Sequence, residues 1–353
     1  MLVNLAAGLA RRDLQVDFVT RSRAAPYLDR LPDRVNLVEL GAGGTFAVLP
    51  PTIRYLRAAR PDFVLCGKDR AARNVLRARR LSGVDFQLVM RPGTTVSERL
   101  ARRGPYKRWR AYRLIRGVYR QAVAVVGNSA GVVDDIAAIA GLPAQRMHLI
   151  RNPVVTPDLA AQAAEPFEHP WFVPGAPPVI VGVGGLRRQK GFDSLVRAFA
   201  QVHAQRPCRL MILGDGHLRE SLLQLADELG VADDLALPGF DPRPYRIVAR
   251  AALFVLASRW EGSPNALTEA LALGTPVVAT DCPSGPREIL AGGEVAPLVA
   301  VDDVDAMGAA IRRTLDDPGD RARRIAAVAE YTVETCAARY HALFDALLAD
   351  RAA

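Results

Sequence analysis

Short apolar runs of strand length alternate along this chain with segments of helical periodicity, and that alternation restricts the fold more than any other feature. In the first half the runs are Val16–Thr20, Val35–Leu40, Phe63–Cys66, Phe86–Met90 and Ala122–Val126. Helices are expected at Leu2–Arg12, Thr52–Ala59, Asp69–Arg80 and Tyr106–Arg120. In the second half a strand opens at Val179, and Arg209–Leu213, Leu235–Pro238, Leu253–Ala257 and Pro276–Thr280 follow. Strands that are apolar on both faces, separated by helices, predict parallel α/β sheets with helices on each side. A length of 353 residues accommodates two such domains. The boundary is expected at 156–178, which contains six prolines and reads as a linker.

Composition excludes several classes. No apolar run approaches the ~20 residues of a membrane span, and the start lacks the pattern of a secretory leader. The four cysteines are scattered without CxxC pairs, which predicts reduced thiols in the cytoplasm. The five histidines show no ligand spacing, so no metal site is expected. Net charge is +9 but uneven: residues 1–155 hold 27 Lys and Arg against 11 Asp and Glu. A basic first half suits an anionic partner, whether lipid, acceptor or nucleic acid.

The chemistry concentrates in Ser258–Leu290. Glu261 and Glu269 flank Gly262-Ser263-Pro264-Asn265, which opens the helix Ala266–Leu273. Ser263 is a natural N-cap and Pro264 suits the first helical position. The amides of Ser263–Leu267, through Asn265 and Ala266, then present a positive dipole end, fit for a diphosphate. Two solvated glutamates on an ordinary loop and helix are the alternative. A second cradle is Gly182–Gly191, GVGGLRRQKG, where Arg187, Arg188 and Lys190 follow a strand. The dinucleotide fingerprint fails there because position 187 is Arg, and the P-loop fails for want of GK[ST]. Fixed cations and amides instead suit a leaving diphosphate; three solvated cations on a turn are the rival reading. Asp303-Val304-Asp305 spells DxD, but at a helix start capping explains it better.

The run EGSPNALTEALALGTPVVATDCPSGPREIL resembles the signature of retaining glycosyltransferases of the GT-B fold, of the family four type. The resemblance implies two Rossmann-like doubly wound domains facing across a cleft, with residues 1–155 on the acceptor side and 179–334 binding the donor. The last helix, about 335–353, is expected to rejoin the first domain. By the same resemblance Glu261 contacts the donor sugar and Glu269 the ribose. GVGGLRRQKG resembles the family's G-R-L-x-x-Q-K-G, which assigns Lys190 to the donor phosphates and places Gly185-Leu186 beside them. The family's arginine is replaced by Gly185, leaving Arg187 or Arg188 to substitute. Gly214 closes a strand, and Gly239-Phe240 falls where the nucleotide base is usually met, or is a simple turn. No metal or cofactor is expected. The family usually carries a strand and a glycine-rich loop ahead of "NLAAGLA", which this sequence lacks, so a late start codon or a truncation is expected. A histidine of the acceptor side is also missing; Arg91, Thr94 or Thr95 stands in that region.

Arg102–Arg120 has eight cations, no acid, and Tyr106, Trp109, Tyr112 and Tyr119. With Trp109, Tyr112 and Tyr119 on one side and Arg108 and Arg113 among the cations around them, it fits an interfacial helix on anionic lipid. A core helix with a solvated basic face is the alternative; nucleic acid is not expected. The combined expectation is transfer of a hexose or N-acetylhexosamine from a UDP-sugar, or second a GDP-sugar, to a glycan or lipid-linked acceptor at the cytoplasmic membrane face. A sugar-phosphate phosphorylase and a non-catalytic nucleotide-binding protein are the rivals.

Overall fold

The computed structural model describes residues 1–24, 27–41, 44 and 47–352. The chain divides into two compact units, Met1–Pro153 with Val333–Ala353, and Val154–Thr332.

In the first unit α1 (Leu2–Leu9) leads into β1 (Val16–Thr20), which pairs in parallel with β2 (Val35–Glu39). After α2 (Leu49–Ala59), the strands β3 (Phe63–Cys66), β4 (Gln87–Met90), β5 (Ala124–Gly127) and β6 (Met147–Leu149) form a separate parallel sheet in that order. Helices α3 (Asp69–Ser82), α4 (Val96–Leu100), α5 (Pro105–Tyr119) and α6 (Ala130–Ala140) connect them. Alternate residues of the central strands feed two cores, which is why these runs are apolar throughout. Leu88, Met90 and Val125 pack with Leu76, Ile115 and Ile136 on one face. Val89, Ala124 and Val126 pack with Leu5, Leu9, Tyr340 and Phe344 on the other. The last two belong to the C-terminal helix, Val333–Ala352, which lies on α1. Gly8 permits that approach: a Cβ there would stand 2.8 Å from both Ala337 Cβ and Val333 Cγ1. Among the described residues no strand joins β1 to β3, the place that a doubly wound order gives to the strand expected ahead of α1.

The second unit starts with α7 (Leu159–Ala164), inside the stretch expected to be a linker. Val154 and Val155 N–H both donate to Tyr331 O at 3.0 Å, while Phe167, Trp171 and Phe172 pack on the core. Prolines there stop long helices without preventing burial, so 156–178 is part of this unit rather than a tether.

Its elements are β7 (Val179–Val183), α8 (Phe192–His203), β8 (Arg209–Leu213), α9 (Arg219–Glu228), β9 (Leu235–Gly239), α10 (Tyr245–Val248) and β10 (Leu253–Leu256). Then come α11 (Asn265–Ala272), β11 (Val277–Thr280), α12 (Pro286–Ile289), β12 (Leu298–Val299), α13 (Val304–Asp316) and α14 (Arg321–Ala326). The parallel sheet runs β9-β8-β7-β10-β11-β12. Counted from β7 this is the doubly wound order 3-2-1-4-5-6, which reverses between β7 and β10.

Candidate functional site

Ligands of doubly wound sheets bind beyond the carboxyl ends of the strands, where the order reverses. The two loops at that point are 184–191, after β7, and 257–264, after β10. They approach so closely that Gly191 has no substitute: its φ is +62° and a Cβ would lie 2.0 Å from Ala257 O. Gln189 Nε2 donates to Trp260 O at 2.9 Å, and Arg259 N donates to Gln189 O at 2.7 Å. The Arg188 guanidinium sits over the Trp260 ring of the neighbouring loop, 5.8 Å from its centre.

Arg259 fastens the pair from behind. Its Nη1 donates to Arg188 O at 2.8 Å, its Nη2 to Asp193 Oδ2 at 2.7 Å, and its Nε to Asp302 Oδ1 at 2.9 Å. Hydrogen bonding to Asp193, and then to Asp302, holds the Arg259 proton well above the ordinary guanidinium range. The Arg259 hydrogen bond in turn keeps the Asp302 carboxyl below its usual value.

The product of this fastening is an ion pair across the two loops. Lys190 Nζ lies 2.7 Å from Glu261 Oε1, which also accepts from Ser258 Oγ at 2.6 Å. Glu261 is only 5% exposed, so these partners take the place of water around its carboxylate. Burial, and next the Glu261 charge, push the nearby Cys282 thiol up to about 12.

Helix α11 begins at Asn265 with Pro264 as N-cap, one residue later than expected; Ser263 lies buried ahead of it. Thr268 N is the first to bond back, to Pro264 O at 3.2 Å, which makes Asn265, Ala266 and Leu267 the first turn. Gly262 O accepts from Ser284 Oγ at 3.1 Å. Glu269, four residues into the helix sequence, accepts from the Tyr245 hydroxyl at 3.3 Å.

The side chains of Leu186 and Leu267 are fully buried in apolar core, so each residue offers a donor only its backbone, and Leu186 N is already engaged with Asp215 O at 2.9 Å. Both residues shape the loops from below. Gly214 N donates to Gly239 O at 2.8 Å, and Asp215 Oδ2 accepts from Phe240 N at 3.0 Å, leaving the Phe240 ring 54% exposed. Arg187 folds back over the glycine beside it: a Cβ on Gly185 would stand 3.2 Å from Arg187 Nε. The DxD carboxylates serve structure. Asp303 Oδ1 accepts from Ala306 N at 2.9 Å and Asp305 Oδ1 from Gln201 Nε2 at 2.7 Å.

In the first unit Arg91 does not stand ready for an acceptor. It is 2% exposed, donates to Asn152 Oδ1, and its charge opposes the burial that raises the Tyr340 phenol. Thr94 is half-buried and Arg108 exposed. The aromatics of α5 part company: Tyr119 is buried and donates to Asp69 Oδ1 at 3.1 Å, whereas Trp109 is 55% exposed. At 100° per residue Trp109 lies at the margin of the stripe centred on Ile115, beyond the cover of the core.

Sequence reasoning missed Ser258, Arg259, Asp193, Asp302, Asp215 and Tyr245. Ser258 and Arg259 lie inside the motif-bearing block, a usable signal. The others gain their roles only through contacts between distant segments.

Comparison with known proteins gives a family on each unit. The glycosyl transferases group 1 family matches residues 165–330, and the glycosyl transferase 4-like domain matches residues 1–153. A Campylobacter jejuni protein, N-acetylgalactosamine-N,N'-diacetylbacillosaminyl-diphospho-undecaprenol 4-alpha-N-acetylgalactosaminyltransferase, is 31% identical over 204 residues. That match covers 58% of this chain and 54% of the relative, so the chain spans about half of that relative's length. The lipopolysaccharide core biosynthesis glycosyltransferase LpsE of Rhizobium meliloti is 26% identical over 306 residues, covering 85% of this chain and 79% of its own. Among solved structures, Anabaena HepE in complex with UDP-glucose superposes with a TM-score of 0.79 at 16% identity, covering 98% of this chain and 95% of that one. That last likeness is one of fold.

Proposed function

The chain belongs to the GT-B glycosyltransferases of the family four type, and from that premise we propose that it is a retaining enzyme using a nucleotide-diphosphate sugar. It moves a hexose or N-acetylhexosamine, from UDP first and GDP second, to a glycan or lipid-linked acceptor in cell-surface polysaccharide or lipopolysaccharide assembly. The observation that carries this reading is the Lys190–Glu261 pair, 2.7 Å apart, joining the loops of β7 and β10 where the strand order reverses.

Each residue then has a task. Lys190 and Arg187 meet the negative charge growing on the leaving diphosphate, with the amides of the first turn of α11. Glu261 accepts hydrogen bonds from the sugar, and Glu269, oriented by Tyr245, takes the ribose hydroxyls. The anomeric C–O bond to phosphate breaks while the acceptor oxygen bonds to the same face of that carbon. The acceptor's proton passes to the departing phosphate oxygen, so configuration is kept without a covalent enzyme intermediate. Positive charge comes from side chains, and a resident metal has no part in the proposal. Support for the acceptor class comes from the names of the relatives, one acting on a diphospho-undecaprenol glycan and one in lipopolysaccharide core assembly. We place the reaction at the cytoplasmic face of an anionic membrane, met through Arg102–Arg120; among the described residues no helix is long and apolar enough to cross one.

The test is thermal denaturation with UDP, GDP and ADP, on this chain and on Glu269→Ala. Ligand at about 100 times its dissociation constant stabilises by about 2.7 kcal/mol. A shift with UDP that the variant loses is expected; equal shifts in both proteins would remove Glu269 from the site. The anomeric configuration of the transferred sugar, read by NMR, decides retention.

A further inference from the structure

The first unit carries a groove of about 580 Å³ between α3 and α5. Arg73, Arg77 and Arg80 line it from α3, and Trp109, Arg110 and Arg113 from α5. The spacings of four and three from Arg73 to Arg77 and on to Arg80, and of four and three from Trp109 and Arg110 to Arg113, make these residues neighbours on their helix surfaces. No carboxylate lines the groove. Among the described residues Arg73, Arg80, Arg110 and Arg113 take part in no ion pair, whereas their neighbours Arg79 and Arg99 are matched with Asp85 and Asp69. These four guanidinium groups around one concavity repel one another unless an anion enters, and guanidinium forks suit phosphate oxygens.

The rim is apolar as well as basic. Tyr106 is 70% exposed, Trp109 55% and Leu114 45%. Trp109 is flanked by Arg113, 5.7 Å from its ring centre, and by Tyr106, stacked at 6.0 Å. Stacked bases of a nucleic acid need open ring faces, and here Tyr106 and Trp109 stack on each other with Arg113 beside Trp109, which leaves less face for a base. Ring edges and a leucine above a phosphate-sized basic groove fit the boundary between lipid head groups and acyl chains.

We infer that this groove seats the phosphate head groups of anionic phospholipid, with Tyr106, Trp109 and Leu114 entering the interface. The inference deepens the membrane part of the proposed function by adding α3 to the contact. It does not depend on glycosyl transfer, because vesicle binding is measured without any donor.

The experiment is sedimentation of the full chain with vesicles of phosphatidylcholine alone, or with about a third phosphatidylglycerol, at low and high salt. Binding only to the anionic vesicles is expected, weakening as salt rises, with a blue shift of tryptophan emission that Trp109→Phe abolishes. Neutralising one arginine near the surface weakens binding roughly fivefold, so R73Q/R80Q on α3 and R110Q/R113Q on α5 should each cost roughly 25-fold. Circular dichroism and the UDP thermal shift of each variant should match the parent. If R110Q/R113Q weakens binding and R73Q/R80Q does not, α5 alone meets the membrane and the groove inference fails while the membrane reading stands. Equal binding to neutral vesicles, no binding at low salt, or tighter binding to single-stranded DNA overturns it outright.

Discussion

Replacing Lys190 by Met removes the ammonium 2.7 Å from a carboxylate whose side chain is 7% exposed. Breaking one half of a buried ion pair costs about 3–5 kcal/mol, because the remaining charge keeps its desolvation without its partner. Lys190 is itself 21% exposed, so water can reach part of the site, and the lower end, about 3 kcal/mol, is expected. Glu261→Gln is milder: Gln keeps the shape and an oxygen for the Ser258 hydroxyl, and strands only the better-solvated lysine, for about 1–2 kcal/mol. The double variant K190M/E261Q carries neither charge and should cost less than the sum of its parents by about 1–2 kcal/mol. Calorimetry of the full chain reads this directly, since only the transition carried by the second unit should move. For a unit of this size about 3 kcal/mol corresponds to a fall of roughly 6–12 °C. Single variants within about 0.5 kcal/mol of the parent, or strictly additive costs, would refute the claim that this pair holds the two loops together.

Gly191→Ala should lower the melting temperature of the same unit and abolish the UDP shift, since φ is +62° and the new Cβ would meet Ala257 O at 2.0 Å; an unchanged shift would show that the loops tolerate separation. The Asp302 carboxyl is held below its usual value in the folded chain, chiefly by Arg259, so its stabilisation is full above the unfolded value of about 3.9 and is lost as pH falls through the folded one. Asp302→Asn, which tolerates the φ of +61° at that position, should flatten part of the acid limb of a melting-temperature profile, and an unaltered limb would remove Asp302 from the linkage.

Much of the fold was legible because burial on both faces of a parallel sheet leaves continuous apolar runs, and the strands fall where those runs are. Helix ends were less legible: α11 starts one residue later than expected because Pro264, not Ser263, takes the N-cap position. The fate of 156–178 was hidden since proline content reports local stiffness and says nothing of what Phe167, Trp171 and Phe172 bury against. Arg91 misled for a related reason. It was named because it stands in the region of the family's missing histidine, but only the folded chain brings Asn152 and Tyr340 to it. In the second unit Glu261 and Lys190 were named from local motif chemistry. Their meeting depends on the 3-2-1-4-5-6 order, which brings loops 71 residues apart in sequence to one point.

Position 185, where the family has arginine and this chain has glycine, shows the same dependence on the fold. A guanidinium that serves a diphosphate must be placed at the mouth of β7, and its place along the chain matters less than where its charge ends up. With glycine at 185 the backbone there offers no side chain, and Arg187 turns back until its Nε is 3.2 Å from where the missing Cβ would be. Arg187 therefore presents its charge over residue 185, while Arg188 is engaged with Trp260 and Lys190 with Glu261. The three cations of LRRQK are not equivalent: one stacks, one pairs, and the remaining one covers the position that the family gives to arginine. If that is the compensation, Arg187→Ala should weaken UDP binding more than Arg188→Ala, and Gly185→Arg should restore it in the R187A background. Rescue failing while the fold stays intact would mean that the charge of Arg187 serves some other purpose.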